Sequence, residues 1–194
     1  YAYVHRYNLG VALRRRSAFL ERLKTAGFEC EVLCWEKERG RKPDNRQQRH
    51  VWLMRRLRRL PKPLAIFAMR DMEAVEVIEA CQAAKIKVPE EVAVLGADNN
   101  QALSDCLTIS LSSIDVNLAE VGIRGAKLLE RLMAGKAPPS NPIYVPPTGV
   151  IQRQSTNVLA VAHRGVATAL QFIRSDYHRQ ITVPEIARVA RMSR

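Results

Sequence analysis

The sequence predicts an α/β fold: a three-layer lobe built on a parallel sheet, followed by a short all-α segment. Two observations carry the prediction. Leu64–Met69 and Val92–Ala97 are continuous apolar runs, the pattern of strands buried on both faces. Between them, Asp71–Ile86 has a helical period. Strand, helix, strand in this rhythm is a βαβ unit, with parallel strands and a right-handed crossover. The second observation is a change of pattern after Thr156. Val166, Leu170, Ile173 and Tyr177 recur at helical spacing. Thr182-Val183-Pro184-Glu185 then combines a hydroxyl cap, a proline in the first turn and an acid three residues after the cap, a helix-start signature.

Around these anchors the remaining elements fall in order. Ala2–His5 reads as a short strand. Ser17 is a candidate cap for a helix through Phe19, Leu20, Leu23 and Ala26, stopped at Gly27. Glu31–Trp35 alternates like a strand, and Glu36–Asn45, with Gly40 and Pro43, reads as a loop. In Val51–Leu60, Leu53, Leu57 and Leu60 have helical spacing, and Pro61 and Pro63 end the helix. In Asp71–Ile86, Val75, Ile78, Ala80 and Cys81 are expected to point inward. Ser110–Ile114 predicts another strand. Asn117 or Asp115 starts a helix through Val121, Ile123, Leu128, Leu129 and Leu132, with Gly135 past its end. Ala137–Pro147 is proline-rich and extended, and Val150–Arg153 is strand-like.

Bulk properties narrow the class. The 194 residues are 47% hydrophobic, enough for a core. No apolar run approaches the roughly 20 residues that a membrane helix needs. The formal charge is +12, which suits a nucleic-acid partner or reflects an arginine-rich genome. Much of it lies in Glu36–Leu60, where Arg39, Arg41, Lys42, Arg46, Arg49, Arg55, Arg56, Arg58 and Arg59 read as a solvated helix face, with a phosphate contact as the alternative. Cys30, Cys34, Cys81 and Cys106 lack zinc-site spacing. They read as reduced core thiols of a cytoplasmic protein, a disulfide or redox switch being the alternative. No metal and no cofactor is expected. Tyr1 is not an initiator Met and Arg194 falls within a helical pattern, so both ends are expected to be cuts.

Asp71 and Asp98 stand out as chemistry. Each falls at the carboxyl end of a predicted parallel strand, where open α/β sheets bind ligands. A carboxylate accepts hydrogen bonds from two adjacent hydroxyls, the pattern a sugar offers. Asp71 also suits a helix N-cap, and Asp98-Asn99-Asn100 also suits a turn. His5, His50, His163 and His178 stand apart from plausible nucleophiles. No G-x-S-x-G elbow, P-loop or G-x-G-x-x-G is present. An enzyme is not expected.

These residues resemble a family. Leu60-Pro61-Lys62-Pro63-Leu64-Ala65-Ile66-Phe67-Ala68, then Asp71, then Ala80-Cys81, then Val88-Pro89-Glu90-Glu91-Val92-Ala93-Val94-Leu95-Gly96-Ala97-Asp98-Asn99 is similar to the bacterial xylose-operon regulators. Leu111-Ser112-Ser113-Ile114, Val145-Pro146-Pro147-Thr148-Gly149-Val150 and Gln154-Ser155-Thr156 fit the same group. Such regulators join a periplasmic-binding-protein-like sensor, similar to the lac/gal repressors, to an AraC-type DNA-binding domain. The resemblance implies a sensor over 1–156, mainly its second lobe with the first lobe missing. It implies a linker over 157–165 and a truncated AraC-type helix-turn-helix domain over 166–194. It implies a monosaccharide effector of the pentose type held between two lobes by Asp71, Asp98 and the neighbouring Arg70, where the family usually has Asn. It implies DNA contacts by Ser193 and Arg194 at the start of a recognition helix, with DNA bound through the full C-terminal domain of a homodimeric parent protein. Arg191 stands where the family's turn usually has glycine.

Three readings compete. A ligand-responsive transcription regulator accounts for the whole chain. A solute-binding module without a DNA-binding role leaves the helical tail after Thr156 without purpose. An α/β enzyme using Asp71 and Asp98 as an acid and base pair lacks an oxyanion donor or metal ligand.

Overall fold

The computed structural model describes residues 1–157 and 164–192. The chain divides into two compact units, 1–157 and 158–194. In the first, β1 (Ala2–His5), β2 (Glu31–Cys34), β3 (Leu64–Ala68), β4 (Val92–Ala97), β5 (Ser112–Asp115) and β6 (Gly149–Ile151) form one sheet. The spatial order is β2-β1-β3-β4-β5-β6. Strands β1 to β5 pair in parallel, and β6 returns antiparallel to β5. The helices of this unit are α1 (Gly10–Thr25), α2 (Trp35–Arg39), α3 (Arg46–Arg59), α4 (Asp71–Ala83), α5 (Gln101–Asp105) and α6 (Leu118–Met133).

Side-chain alternation along the strands builds three layers. Ala2, Val4, Leu64, Ile66, Val92 and Val94 face one side, where they pack with Leu53 and Leu57 of α3 and with Ala74, Val77, Ile78 and Cys81 of α4. Tyr3, Phe67 and Ala97 face the other side and meet Ala12 and Phe19 of α1. The Tyr3 hydroxyl donates to the Ala12 carbonyl at 3.1 Å, which satisfies the one polar atom of that buried ring.

Several boundaries differ from the sequence reading for local reasons. Helix α1 begins at Gly10, and Ser17 lies exposed within it rather than capping it. Its run of arginines favours helix, and Arg15 anchors that turn, as described below. Trp35, expected to end a strand, and the start of the expected loop form the helix Trp35–Arg39, because Trp35 buries against Trp52, their rings 5.5 Å apart. Helix α3 starts at Arg46, because the Asn45 side chain accepts from the Gln48 N–H at 3.0 Å. Ala74 and Val77 are buried in α4, whereas Val75 is half-buried. Asn117 precedes α6 in a left-handed conformation without a side-chain cap.

The basic segment is not wholly a solvated face. Arg49 is buried: Nε and Nη2 donate to Glu76 at 2.9 and 2.8 Å, and Nη1 to Asp44 at 2.5 Å. Two carboxylates compensate its desolvation. Arg55, Arg58 and Arg59 are exposed as expected. Among the cysteines, Cys34 and Cys81 are buried, Cys30 is half-buried, and Cys106 is exposed rather than a core thiol; all four are free.

Helix α6 is amphipathic, yet none of its residues is buried. Leu118, Val121, Leu129 and Leu132 recur at helical spacing and all are exposed.

The second unit contains α7 (Arg164–Asp176) and α8 (Val183–Ala190). The expected capping box forms at α8: the Thr182 N–H donates to the Glu185 carboxylate at 2.8 Å, and the Thr182 hydroxyl accepts from the Glu185 backbone N–H. Tyr177 lies beyond α7 and is exposed. Arg191 closes α8 in a left-handed conformation, φ 53°. A side chain there costs roughly 1 kcal/mol relative to glycine. Arg191→Gly is therefore expected to stabilise the helical unit by about that amount. Thermal unfolding followed by circular dichroism checks it, and an unchanged or lower midpoint refutes it.

Candidate functional site

The carboxyl ends of β3 and β4 are tied to β5 by one buried carboxylate. Asp71 opens α4 directly after β3. Arg70, not Asp71, occupies the cap position, so the Asp71 side chain is not spent on its own helix. It is 2% exposed. One oxygen accepts from the Ser113 hydroxyl of β5 at 2.6 Å, and the other from the Asn100 backbone N–H after β4 at 2.7 Å. Burial raises its pKa; the bonds from Ser113 and Asn100 oppose that rise.

The space beside it belongs to Gly96. A Cβ on that residue would sit 2.2 Å from Asp71 Oδ1 and 3.3 Å from Asp71 Cα. Glycine is required here for room, not for an unusual backbone angle.

Above this clamp, Asp98 and Asn99 both have positive φ, 111° and 51°. Such conformations cost about 1–3 kcal/mol each and persist where surroundings over-determine them. Three successive N–H groups do so. Asp98 donates to the Ile114 carbonyl at 2.9 Å, Asn99 to the Ser113 hydroxyl at 2.9 Å, and Asn100 to Asp71. From the other side Arg153 donates to the Asn99 side chain at 2.8 Å and to the Leu111 carbonyl at 2.7 Å.

The Asp98 carboxylate stays partly open, with 28% of its side chain exposed. Arg15 of α1 donates to it at 3.2 Å and to the Met69 carbonyl at 2.5 Å. Arg15 also lines a hollow of about 330 Å³ walled by Phe19, Phe67, Ala97, Ile114 and Val116. That volume and an apolar wall with few polar groups suit a small ligand. The carboxylate and guanidinium suit hydroxyls; the wall suits the C–H face of a sugar ring. A larger hollow, about 510 Å³ over Asn45, Arg46, Gln47, His50 and Glu79, lies at the start of α3 on the protein's flank and gathers none of these strand ends.

Of the residues singled out from sequence, Asp98 meets Arg15 at the hollow and Arg70 follows β3 close to Asp98 but outside the hollow's wall, whereas Asp71 lies beneath with both oxygens accepting hydrogen bonds. Arg70 is held by Glu73 at 2.9 and 3.3 Å. Ser193 and Arg194 lie outside the described residues. Sequence reasoning missed Arg15, Ser113 and Arg153. Arg15 was hidden among Arg14 and Arg16 in a very basic chain. Ser113 was hidden beside Ser110 and Ser112, with nothing local to single it out. No set of three His, Cys, Asp or Glu that would hold a metal occurs among the described residues.

A family model described as "Periplasmic binding protein-like domain" matches residues 2–156. The chain belongs to this family. Within it, the chain is 31% identical over 183 residues to the "Xylose operon regulatory protein" of Haemophilus influenzae, covering 90% of this chain and 44% of that protein. Against the protein of the same name from Escherichia coli strain K12 it is 32% identical over 152 residues, 78% of this chain and 39% of the other. The chain thus spans less than half the length of these relatives. Among solved structures, that of the "xylose-binding transcription activator xylR" matches 100% of this chain and 51% of its own, at 28% identity and a TM-score of 0.74. A LacI-family regulatory protein from Corynebacterium glutamicum matches 80% of this chain and 57% of its own, at 25% identity and a TM-score of 0.64. The periplasmic-binding-protein-like fold accounts for the mostly parallel sheet and its crevice at the strand ends.

Gly96→Ala tests the clamp. It is expected to destabilise the protein by about 2 kcal/mol, because the new methyl overlaps a carboxylate that cannot retreat. Urea unfolding reads this, and an unshifted midpoint would show the space to be unneeded.

Proposed function

We propose that this chain is part of a cytoplasmic, ligand-responsive transcription regulator, a DNA-binding protein and not an enzyme. In this reading residues 1–156 are mainly the second lobe of a two-lobed sensor. Residues 157–165 link it to 166–194, the start of an AraC-type helix-turn-helix domain. The effector is a monosaccharide of pentose size, held between the lobes against Asp98, Arg15 and Arg70. Asp71 serves as the positioning residue beneath them. Ser193 and Arg194 would contact DNA, and the full-length protein would be a homodimer.

The observation that carries this reading is Asp98, kept in a strained backbone conformation with its carboxylate against Arg15 at the mouth of an apolar hollow. Strain maintained by so many bonds marks a site rather than a turn. Helix α6 supports the two-lobed arrangement: its exposed apolar stripe suits packing against a second lobe. The capped α8 supports the DNA-binding half. So does the likeness to the xylose-binding activator, which extends over the whole chain, whereas the LacI-family likeness stops at 80% of it. A solute-binding module has no use for this tail. An acid and base pair is a poor fit, because Asp71 is buried and both its oxygens already accept hydrogen bonds. Effector binding would shift the balance between open and closed lobes and so reposition the helix-turn-helix on DNA.

Calorimetry on the full-length protein, titrated with neutral and anionic pentoses, tests the site. Asp98→Ala is expected to weaken binding by about 100-fold, the loss of two charge-assisted hydrogen bonds. Undiminished affinity removes Asp98 from the site.

A further inference from the structure

Arg70 brings a chemistry to the crevice that a neutral sugar does not use. It sits at the carboxyl end of β3, next to Met69, whose carbonyl holds Arg15. Its guanidinium is oriented from one side only. Nε and Nη2 face Glu73 at 3.3 and 2.9 Å, and Glu73 is 2% exposed, whereas 40% of the Arg70 side chain is open to solvent. Nη1 takes no hydrogen-bond partner among the described residues. The buried carboxylate therefore fixes the fork and presents its remaining donors outward.

Around that outer edge the open groups are unequal. Of the acids at these strand ends, Asp71 and Glu73 are both 2% exposed, Asp98 is paired with Arg15, and Asp115 accepts from the Asn117 N–H and the Asn99 side chain, whereas Arg70 keeps donors to spare. A neutral sugar hydroxyl is both donor and acceptor and is best met by a mixed set. A guanidinium only donates, in a planar fork that matches the paired oxygens of a carboxylate or phosphate. Such charge-assisted pairs are about twice as strong as neutral ones.

We propose that Arg70 is the specificity-determining residue of the crevice and that it selects an effector carrying an anionic group, a sugar acid or a sugar phosphate. The inference rests on reading the crevice as the effector site. Asp98 and Arg15 hold the hydroxyls, and Arg70 receives the anion.

The test is calorimetry on the full-length protein with D-xylose, D-xylonate and D-xylose 5-phosphate. Removing Arg70 alone would strand Glu73 as a buried, unpaired charge, so the variant is Arg70→Asn combined with Glu73→Gln; Arg70→Lys retains the charge without the fork. One anion is expected to bind at least about tenfold tighter than D-xylose, and which one distinguishes carboxylate from phosphate. That preference is expected to vanish in the double variant and to survive in part in Arg70→Lys. If D-xylose binds as well as both anions and Asp98→Ala abolishes it, this inference falls while the sensor reading stands. A preference that persists in the double variant also overturns it. If none of the three binds, both fall together.

Discussion

The Asp71 carboxylate is the point at which the sheet becomes a site. It stands on the first residue of α4, yet its two bonds go to β5 and to the turn after β4. Three elements distant in sequence are thereby held in one geometry. The carboxylate is expensive to bury, as its raised pKa reflects. What it stabilises in return is a turn with two consecutive left-handed residues. Asp71 accepts from the Asn100 N–H directly and orients the Ser113 hydroxyl that accepts from Asn99; without it the turn would relax, and the carboxylate facing Arg15 would lose its orientation. Gly96 is the complement of this arrangement, since a side chain there would overlap Asp71.

The scaffold beneath is conventional by comparison. Parallel strands covered by α1 on one face and by α3 and α4 on the other bury a continuous apolar core. The Arg49–Glu76–Asp44 cluster adds a second polar tie, between α3, α4 and the segment before them. Breaking such a cluster at one partner strands the others, so it contributes more to a unique arrangement than to net stability. Arg153 works similarly at the far edge, where the chain returns from β6 and locks the Asn99 side chain.

Much of this was legible in the residues, and the reason is periodicity. Leu64–Ala68 and Val92–Ala97 are buried on both faces and so read as unbroken apolar runs; Thr182-Val183-Pro184-Glu185 is a local cap whose partners lie three residues apart. The crevice was legible in part, because a strand end is a topological position that sequence can locate. Hydrogen bonds across long sequence separations were not. Nothing local distinguishes Arg15 from Arg14 and Arg16, yet only its tertiary partners, Met69 and Asp98, give it a role. Asp71 was found for the right position and given a different task, since its burial depends on Gly96 and Ser113. Helix α2 escaped notice because tertiary burial of Trp35 outweighs the polar composition around it.

The central claim is that Asp71 orders the Asp98–Asn100 turn. Amide hydrogen exchange on Asp71→Ala tests it most directly. Exchange should quicken at Asp98, Asn99 and Asn100, while Ile66 and Val94 in the central strands keep their protection. Unchanged protection at Asn100, or a uniform loss across the sheet, would contradict the claim.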